Sequence, residues 1–231
     1  MKLPVEPWLT VLLLSVLAAG CASTPLLKEP ETGPTDLQGM VYDLDRVPVS
    51  GARVEWKAGP RSSGATTDIH GRFSLSAIPF GKVDLTFTKD GYESFSWSLL
   101  FSERDQIVYV QMSSADQLYQ LTVRSLDQKE WAQAAKALDR ADQIRKPGGP
   151  STFLRACLLD GQGDPAGAAA LLEAYLAGAE PSLAFDLYLG DLYEKKLKDG
   201  VRARAHLETA LRLKYDPEVE DRVNRLTGAQ P

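Results

Sequence analysis

The spacing of hydrophobic and polar residues changes twice along the chain, and each change predicts a different kind of structure. Residues 8–20 form an almost unbroken apolar run. Between residues 37 and 112, short stretches alternate between apolar and polar positions and are separated by turn residues, a pattern typical of β-strands. After Ser113, alanine, leucine and charged residues recur with helical spacing. The chain therefore divides into an apolar leader, a β module and an α module.

The leader has the features of an export signal. Lys2 precedes the apolar run, which is shorter than the roughly 18–20 residues that span a bilayer. Leu17-Ala-Ala-Gly-Cys21 then resembles the lipobox of bacterial lipoproteins. The resemblance implies a signal peptide over residues 1–20, acylation of the Cys21 thiol and of the new amine, and, since Ala22 follows the cysteine, the outer membrane. The alternative is an ordinary signal peptide with a cysteine by chance.

Residues 21–36 predict a lipid-bearing, flexible tether between the membrane and the first domain. This segment contains three prolines and few apolar residues, so it cannot bury enough surface to form a core.

The β module, residues 37–112, predicts seven strands. They are expected at Leu37–Leu44, Ala52–Lys57, Gly64–Asp68, Arg72–Ala77, Lys82–Lys89, Ser94–Phe101 and Gln106–Met112. The alternation places Trp56, Phe95 and Trp97 on the sides of their strands that face the core.

Five ordered pieces of this module carry a resemblance: Gly39–Val41, Val47–Val54, Thr67–Phe73, Ile78–Gly81 and Lys89–Tyr92. Together they resemble the carboxypeptidase regulatory-like domain, which implies an all-β, transthyretin-like sandwich of seven strands that serves as an accessory module. Some relatives are described as carbohydrate-binding. A sugar-binding surface needs exposed aromatic side chains, however, and the alternation places the aromatic residues here on the core side of their strands. We therefore expect a spacer or docking module, with glycan binding as the alternative.

The α module repeats itself. Trp131, Ala134, Leu138 and Ala141 recur 34 residues later as Pro165, Ala168, Leu172 and Tyr175, and the last three recur 35 residues later as Ala203, Leu207 and Ala210. Such a period predicts stacked helix–turn–helix units. The pattern resembles the tetratricopeptide repeat, which implies three all-α repeats over residues 115–217. A capping helix follows over residues 218–228.

The repeat resemblance also implies a groove that binds a protein or peptide partner. Transferring the groove positions of the family onto this chain gives Tyr119, Val123, Phe153, Cys157, Asp191 and Glu194. The first units would offer apolar surface and the third unit an acidic surface, which favours a segment with basic residues at one end. In the alternative arrangement, the first helix packs on the sandwich and only the third unit is free.

Composition and motifs narrow the function. The net charge of −5 argues against nucleic-acid binding. Cys157 is the only cysteine after Cys21, so we expect no intramolecular disulfide and a buried, inert thiol, with a reactive thiol as the alternative. No nucleophile–base pair, metal-ligand cluster or phosphate loop is recognisable, and Ser62–Gly64 and Gly148-Gly149 read as loops.

These observations predict a membrane-anchored protein without catalytic residues, metal site or cofactor. Its expected role is that of a protein–protein interaction scaffold or assembly factor at the bacterial cell envelope. The alternative is carbohydrate or peptidoglycan binding through the β-sandwich.

Overall fold

The structure is a computed structural model, and it describes residues 33–228. Cys21, the predicted signal peptide and the tether up to residue 32 lie outside the described residues. Within them, seven strands precede seven α-helices, which confirms the predicted fold class. The strands are β1 (Thr35–Tyr42), β2 (Arg53–Ala58), β3 (Arg61–Thr66), β4 (Arg72–Ile78), β5 (Gly81–Thr88), β6 (Phe95–Phe101) and β7 (Ile107–Gln111).

The strands form a sandwich of two sheets with the orders β4-β1-β7 and β3-β2-β5-β6. β1 is antiparallel to β4 and parallel to β7, whereas the pairs in the second sheet are antiparallel. Alternate residues of β1, β2, β5 and β7 point into the space between the sheets and are buried there. The core includes Val41, Trp56, Phe73, Leu85 and Phe87.

The third strand begins earlier than the sequence pattern predicts. β2 and β3 form a hairpin in which Ala58 pairs with Arg61, and Gly59 takes a positive φ in the turn. The strand therefore includes Ser62–Gly64, which we expected to be a loop. The side chains of β3 are mostly exposed, so no apolar alternation marked this edge strand in the sequence.

The predicted burial of the aromatic residues is correct for Trp56 and wrong for Phe95 and Trp97. Trp56 is buried in β2, whereas Phe95 is 40% and Trp97 39% exposed. Both side chains lie on the same side of β6 as the buried Leu99 and Phe101. The parity was therefore right, but the facing sheet does not extend far enough to cover the first half of β6.

The helices are α1 (Ala115–Asp127), α2 (Trp131–Ile144), α3 (Gly149–Gly161), α4 (Pro165–Leu176), α5 (Leu183–Asp191), α6 (Gly200–Leu213) and α7 (Pro217–Gly228). A π-helical turn, Leu192–Leu197, continues α5. Gly148 and Gly149, expected in a loop, lie at the N-terminus of α3. Asp216 accepts a hydrogen bond from the amide of Glu218 at 2.9 Å at the start of α7.

Helices α1 to α6 form three antiparallel pairs, α1–α2, α3–α4 and α5–α6. The repeated leucines Leu138, Leu172 and Leu207 are all buried, as are the repeated alanines. At Gly190 in α5 a Cβ atom would lie 2.5 Å from Leu207 Cδ2, so the Leu207 side chain of α6 packs directly on the backbone of α5.

The sandwich and the first helix pair are joined by direct contacts. The amide of Glu93 donates to the carbonyl of Ser113 at 2.9 Å, next to Ser114, the N-cap of α1. The guanidinium of Arg140 in α2 binds both carboxylate oxygens of Glu93, at 2.7 and 2.6 Å, and the Ser113 hydroxyl at 3.0 Å. The turn between β5 and β6 therefore contacts the start of α1 and the side of α2.

Candidate functional site

The six predicted groove residues lie on the first helices of the three units. α1 packs against α3, and aromatic contacts connect α3 to α5. Residues three or four apart share one face of a helix, so Tyr119 and Val123 share a face of α1, and Phe153 and Cys157 share a face of α3. We call the surface formed by Tyr119, Val123, Phe153, Cys157, Asp191 and Glu194 the groove surface.

The α1 and α3 part of the groove surface is apolar and incompletely covered. Val123 is 45% exposed, and Tyr119, Phe153 and Cys157 are partly buried. The body of α1 packs on α2 and α3 rather than on the sandwich. The arrangement in which the sandwich covers the first helix is therefore not the one observed.

Tyr188 of α5 extends this apolar part and was missed in the sequence analysis. Its ring lies 5.2 Å from that of Phe153, and its hydroxyl donates to Asp160 Oδ2 at 2.8 Å. Asp160 also binds Lys196 Nζ at 2.5 Å. Tyr188 lies eight residues before Lys196 and 28 residues after Asp160, so no local sequence pattern links these side chains; the packing of α5 against α3 brings them together.

The acidic part of the groove surface is neutralised within the chain. Arg222 of α7 contacts Asp191 Oδ1 at 2.6 Å, and its Nε donates to Glu194 Oε2 at 2.8 Å. Lys195 Nζ lies 2.8 Å from Asp191 Oδ2. Two carboxylates thus face two cations, so the free acidic surface that we expected for a basic partner is already occupied by Arg222 and Lys195.

Burial and ion pairs shift the titration of this surface. Burial acts to raise the pKa of Asp191, but Lys195 and Arg222 outweigh it and hold the pKa below its ordinary value. Cys157 is partly buried rather than buried as we expected, and this burial raises the pKa of its thiol, which favours the protonated form. Burial, followed by Cys157 and Asp160, raises the pKa of Tyr188.

A second polar cluster lies away from the groove surface, between α4, α5 and α6. Asp186 is buried and its Oδ1 lies 2.9 Å from His206 Nδ1. Glu173 Oε1 lies 3.7 Å from His206 Nε2 and accepts a hydrogen bond from the Tyr193 hydroxyl at 2.7 Å. These contacts cross-link three helices, which gives the cluster a structural role.

The described residues show neither a metal-binding cluster nor a membrane-spanning element. Among residues 33–228, no group of three or more His, Cys, Asp or Glu side chains is placed to hold an ion. Over the same range, no helix is long and apolar enough to cross a bilayer. The groove surface combines partly exposed apolar side chains with paired charges.

The described residues form a β-sandwich followed by helical repeats. Residues 36–117, about a third of the chain, match the carboxypeptidase regulatory-like domain. The chain therefore contains a domain of this family. No match was found among curated protein sequences.

Solved structures with related folds include two from the tetratricopeptide class. The TPR domain of OM64 from Arabidopsis is 15% identical, with a TM-score of 0.43, and the match covers 50% of this chain and 96% of that domain. The first TPR domain of human RPAP3 is also 15% identical, with a TM-score of 0.43 and coverage of 50% and 91%. The type III secretion chaperone SycD of Yersinia enterocolitica, in complex with a peptide of the translocator YopD, is 12% identical, with a TM-score of 0.42 and coverage of 48% and 91%.

Proposed function

We propose that this chain is a bacterial envelope lipoprotein that holds a partner protein through its groove surface and performs no catalysis. The observation that carries the proposal is the partly exposed apolar strip formed by Tyr119, Val123, Phe153 and Cys157 on neighbouring helices. Apolar strips of this kind on a folded surface mark interaction sites. The partner segment should present apolar side chains to α1 and α3.

The groove can be tested with matched valine variants. Val123 lies on the groove surface, whereas Val201 on α6 lies outside it and is 58% exposed. A photoreactive amino acid at position 123 should cross-link a specific partner in intact cells, and the same residue at position 201 should not. With the purified partner, Val123→Asp should weaken binding about tenfold, and Val201→Asp should leave it unchanged. Equal effects at both positions would rule out the groove.

The proposed membrane anchor rests on the lipobox resemblance at Cys21, which implies acylation of that cysteine. Two or more acyl chains give stable membrane attachment, and the residue after the cysteine supports the outer membrane. Cells fed radiolabelled palmitate should incorporate label into the wild-type protein but not into Cys21→Ser. Fractionation should then recover the wild type in outer membranes; an unlabelled, soluble wild type would refute the anchor.

The alternative function, glycan or peptidoglycan binding through the sandwich, gains one observation from the structure. Phe95 and Trp97 are exposed, together with Tyr109, so the aromatic faces that a sugar platform requires are present. Purified peptidoglycan should then retain the wild type and release Trp97→Ala. A wild type that is not retained would remove this alternative.

A further inference from the structure

The two sheets of the sandwich contain different numbers of strands. The β4-β1-β7 sheet has three, and the β3-β2-β5-β6 sheet has four. β4 packs against β3 and β2, while β7 at the other end shares a cleft with β6. Among the described residues, the position beside β7 and opposite β6 therefore holds no strand.

The unfilled strand position leaves the first half of β6 uncovered. Leu99 and Phe101, in the second half, are buried, and the ring of Phe101 stacks on that of Phe80 with centroids 5.1 Å apart. Gln106 in the connection from β6 to β7 donates to the carbonyl of Leu100 at 3.4 Å. At the opposite end nothing among the described residues covers Phe95 and Trp97. They line a cleft with Tyr109, Val110 and Gln111, which we call the open edge.

Within residues 33–228, no strand pairs with the backbone of β7 along the open edge. Met112 donates its amide to the Tyr42 carbonyl of β1 at 2.9 Å. Successive residues of a strand direct their N–H and C=O groups to opposite sides, so Tyr109 and Gln111 direct theirs away from β1. Exposed strand edges of this kind pair readily with another strand.

The size and charge of the open edge indicate what it binds. Phe95 and Trp97 are about two-fifths exposed and Tyr109 is 64% exposed, which amounts to roughly 300 Å² if each side chain offers about 200 Å². A stable dimer needs about 800 Å² from each partner, so a second copy of this chain is a poor fit. The lining side chains carry no charge, which favours an uncharged, apolar segment.

We propose that an extended segment of a partner protein adds as a fourth strand along β7. Its backbone pairs with Tyr109 and Gln111, and alternate aliphatic side chains cover Phe95 and Trp97. Strand addition derives affinity from main-chain hydrogen bonds and specificity from the pockets for alternate side chains. This site is separate from the groove surface, so its failure and the failure of the groove are distinguishable.

The experiment uses the full chain in detergent and the peptide acetyl-Lys-Val-Thr-Val-Thr-Val-Lys-amide. Saturation with this peptide should slow hydrogen exchange at the Tyr109 and Gln111 amides at least about tenfold. The same peptide with every internal amide N-methylated keeps its side chains but cannot pair, and it should not bind. Trp97→Ala should weaken binding about tenfold, and Leu100→Ala, on the other side of β6, should not.

Tyr109→Pro removes one outward-facing N–H at an edge, where proline is tolerated, and should abolish binding without unfolding the sandwich. Failure of the peptide to bind, or equal binding of the methylated peptide, would overturn the proposal. Trp97-dependent binding of chitohexaose without any binding of the peptide would also overturn it and assign the open edge to glycans.

Discussion

The sandwich and the helical repeats differ in the size of the residues that pack their cores. In the sandwich, long side chains from strands distant in sequence meet between two sheets, as Phe73 and Phe87 do with ring centroids 5.8 Å apart. In the repeats, small residues let neighbouring helices approach, as Gly190 does beside Leu207. The first core depends on large side chains that fill space, and the second depends also on small residues that leave room for a neighbouring helix.

The two halves should therefore respond differently to mutation. Large-to-small changes open cavities where long side chains fill the space between sheets. Small-to-large changes force helices apart where the backbones are close. The Glu93–Arg140 ion pair connects the two halves, so destabilisation of one half should also affect the other.

Phe87→Ala should have the largest effect, because Phe87 is fully buried. We expect a loss of about 3–5 kcal/mol in the free energy of unfolding, measured by urea denaturation. Phe95→Ala is the matched control, since Phe95 pairs with Phe87 across β5 and β6 but is partly exposed. It should cost about 1 kcal/mol. Similar losses at the two positions would show that the open edge is buried in solution.

Gly190→Ala tests the opposite property of the repeats. The added methyl group would clash with Leu207, and we expect a cost of about 1–3 kcal/mol in the same measurement. Gly178→Ala, at a position where a Cβ meets nothing within 4 Å, should change stability by less than about 0.5 kcal/mol. A neutral Gly190→Ala would mean that α5 and α6 can separate without loss.

Much of the fold could be predicted from the sequence because each half has its own period. Alternation and turn residues located the strands, except that β3, which has no apolar alternation, begins three residues before its predicted start. The 34-residue recurrence of Ala134 and Leu138 located the helix pairs. The exposure of Phe95 in β6 could not be predicted, because its position in the alternation is that of a core residue. It is uncovered because the facing sheet has three strands and not four.

The groove surface shows the same limit. Helical spacing indicated which faces Tyr119 and Phe153 occupy, because this depends on local geometry alone. The neutralisation of Asp191 depends on Arg222, which lies 31 residues away on a separate helix. No periodic pattern connects those two positions, so the charge of the groove could be read only from the packed structure.

Arg140→Ala should uncouple the two halves with a smaller loss, about 1 kcal/mol, because the Glu93 pair is partly exposed. Burial acts to raise the pKa of Glu93, but hydrogen bonds from Arg140 and Ser113 outweigh it and lower the pKa. The pair therefore stabilises the fold above the unfolded pKa, and this contribution is lost as the pH falls through the lower, folded value.

The pH dependence checks this directly. The free energy of unfolding of the wild type should decrease below about pH 4, the ordinary range of a carboxyl group. That of Glu93→Gln should decrease less over the same range. Arg145→Ala, which breaks only the exposed pair with Asp116, is the control and should match the wild type. An identical acid response in Glu93→Gln would remove this pair as the link between the halves.

Arg222→Ala should have the smallest effect on global stability, about 0.5–1 kcal/mol, because its ion pairs with Asp191 and Glu194 are partly exposed. Val219 is the one buried residue of α7 in the described chain. The local effect should be larger. α7 borders the last helix pair and depends on Arg222 for its contacts with Asp191 and Glu194, so amide exchange in Val219–Leu226 should accelerate while α1–α4 stay protected. Arg225→Ala, on the exposed side of the same helix, should leave exchange unchanged. If both variants behave alike, α7 is held by apolar packing alone, and the two carboxylates of the groove surface are less tightly occupied than the ion pairs indicate.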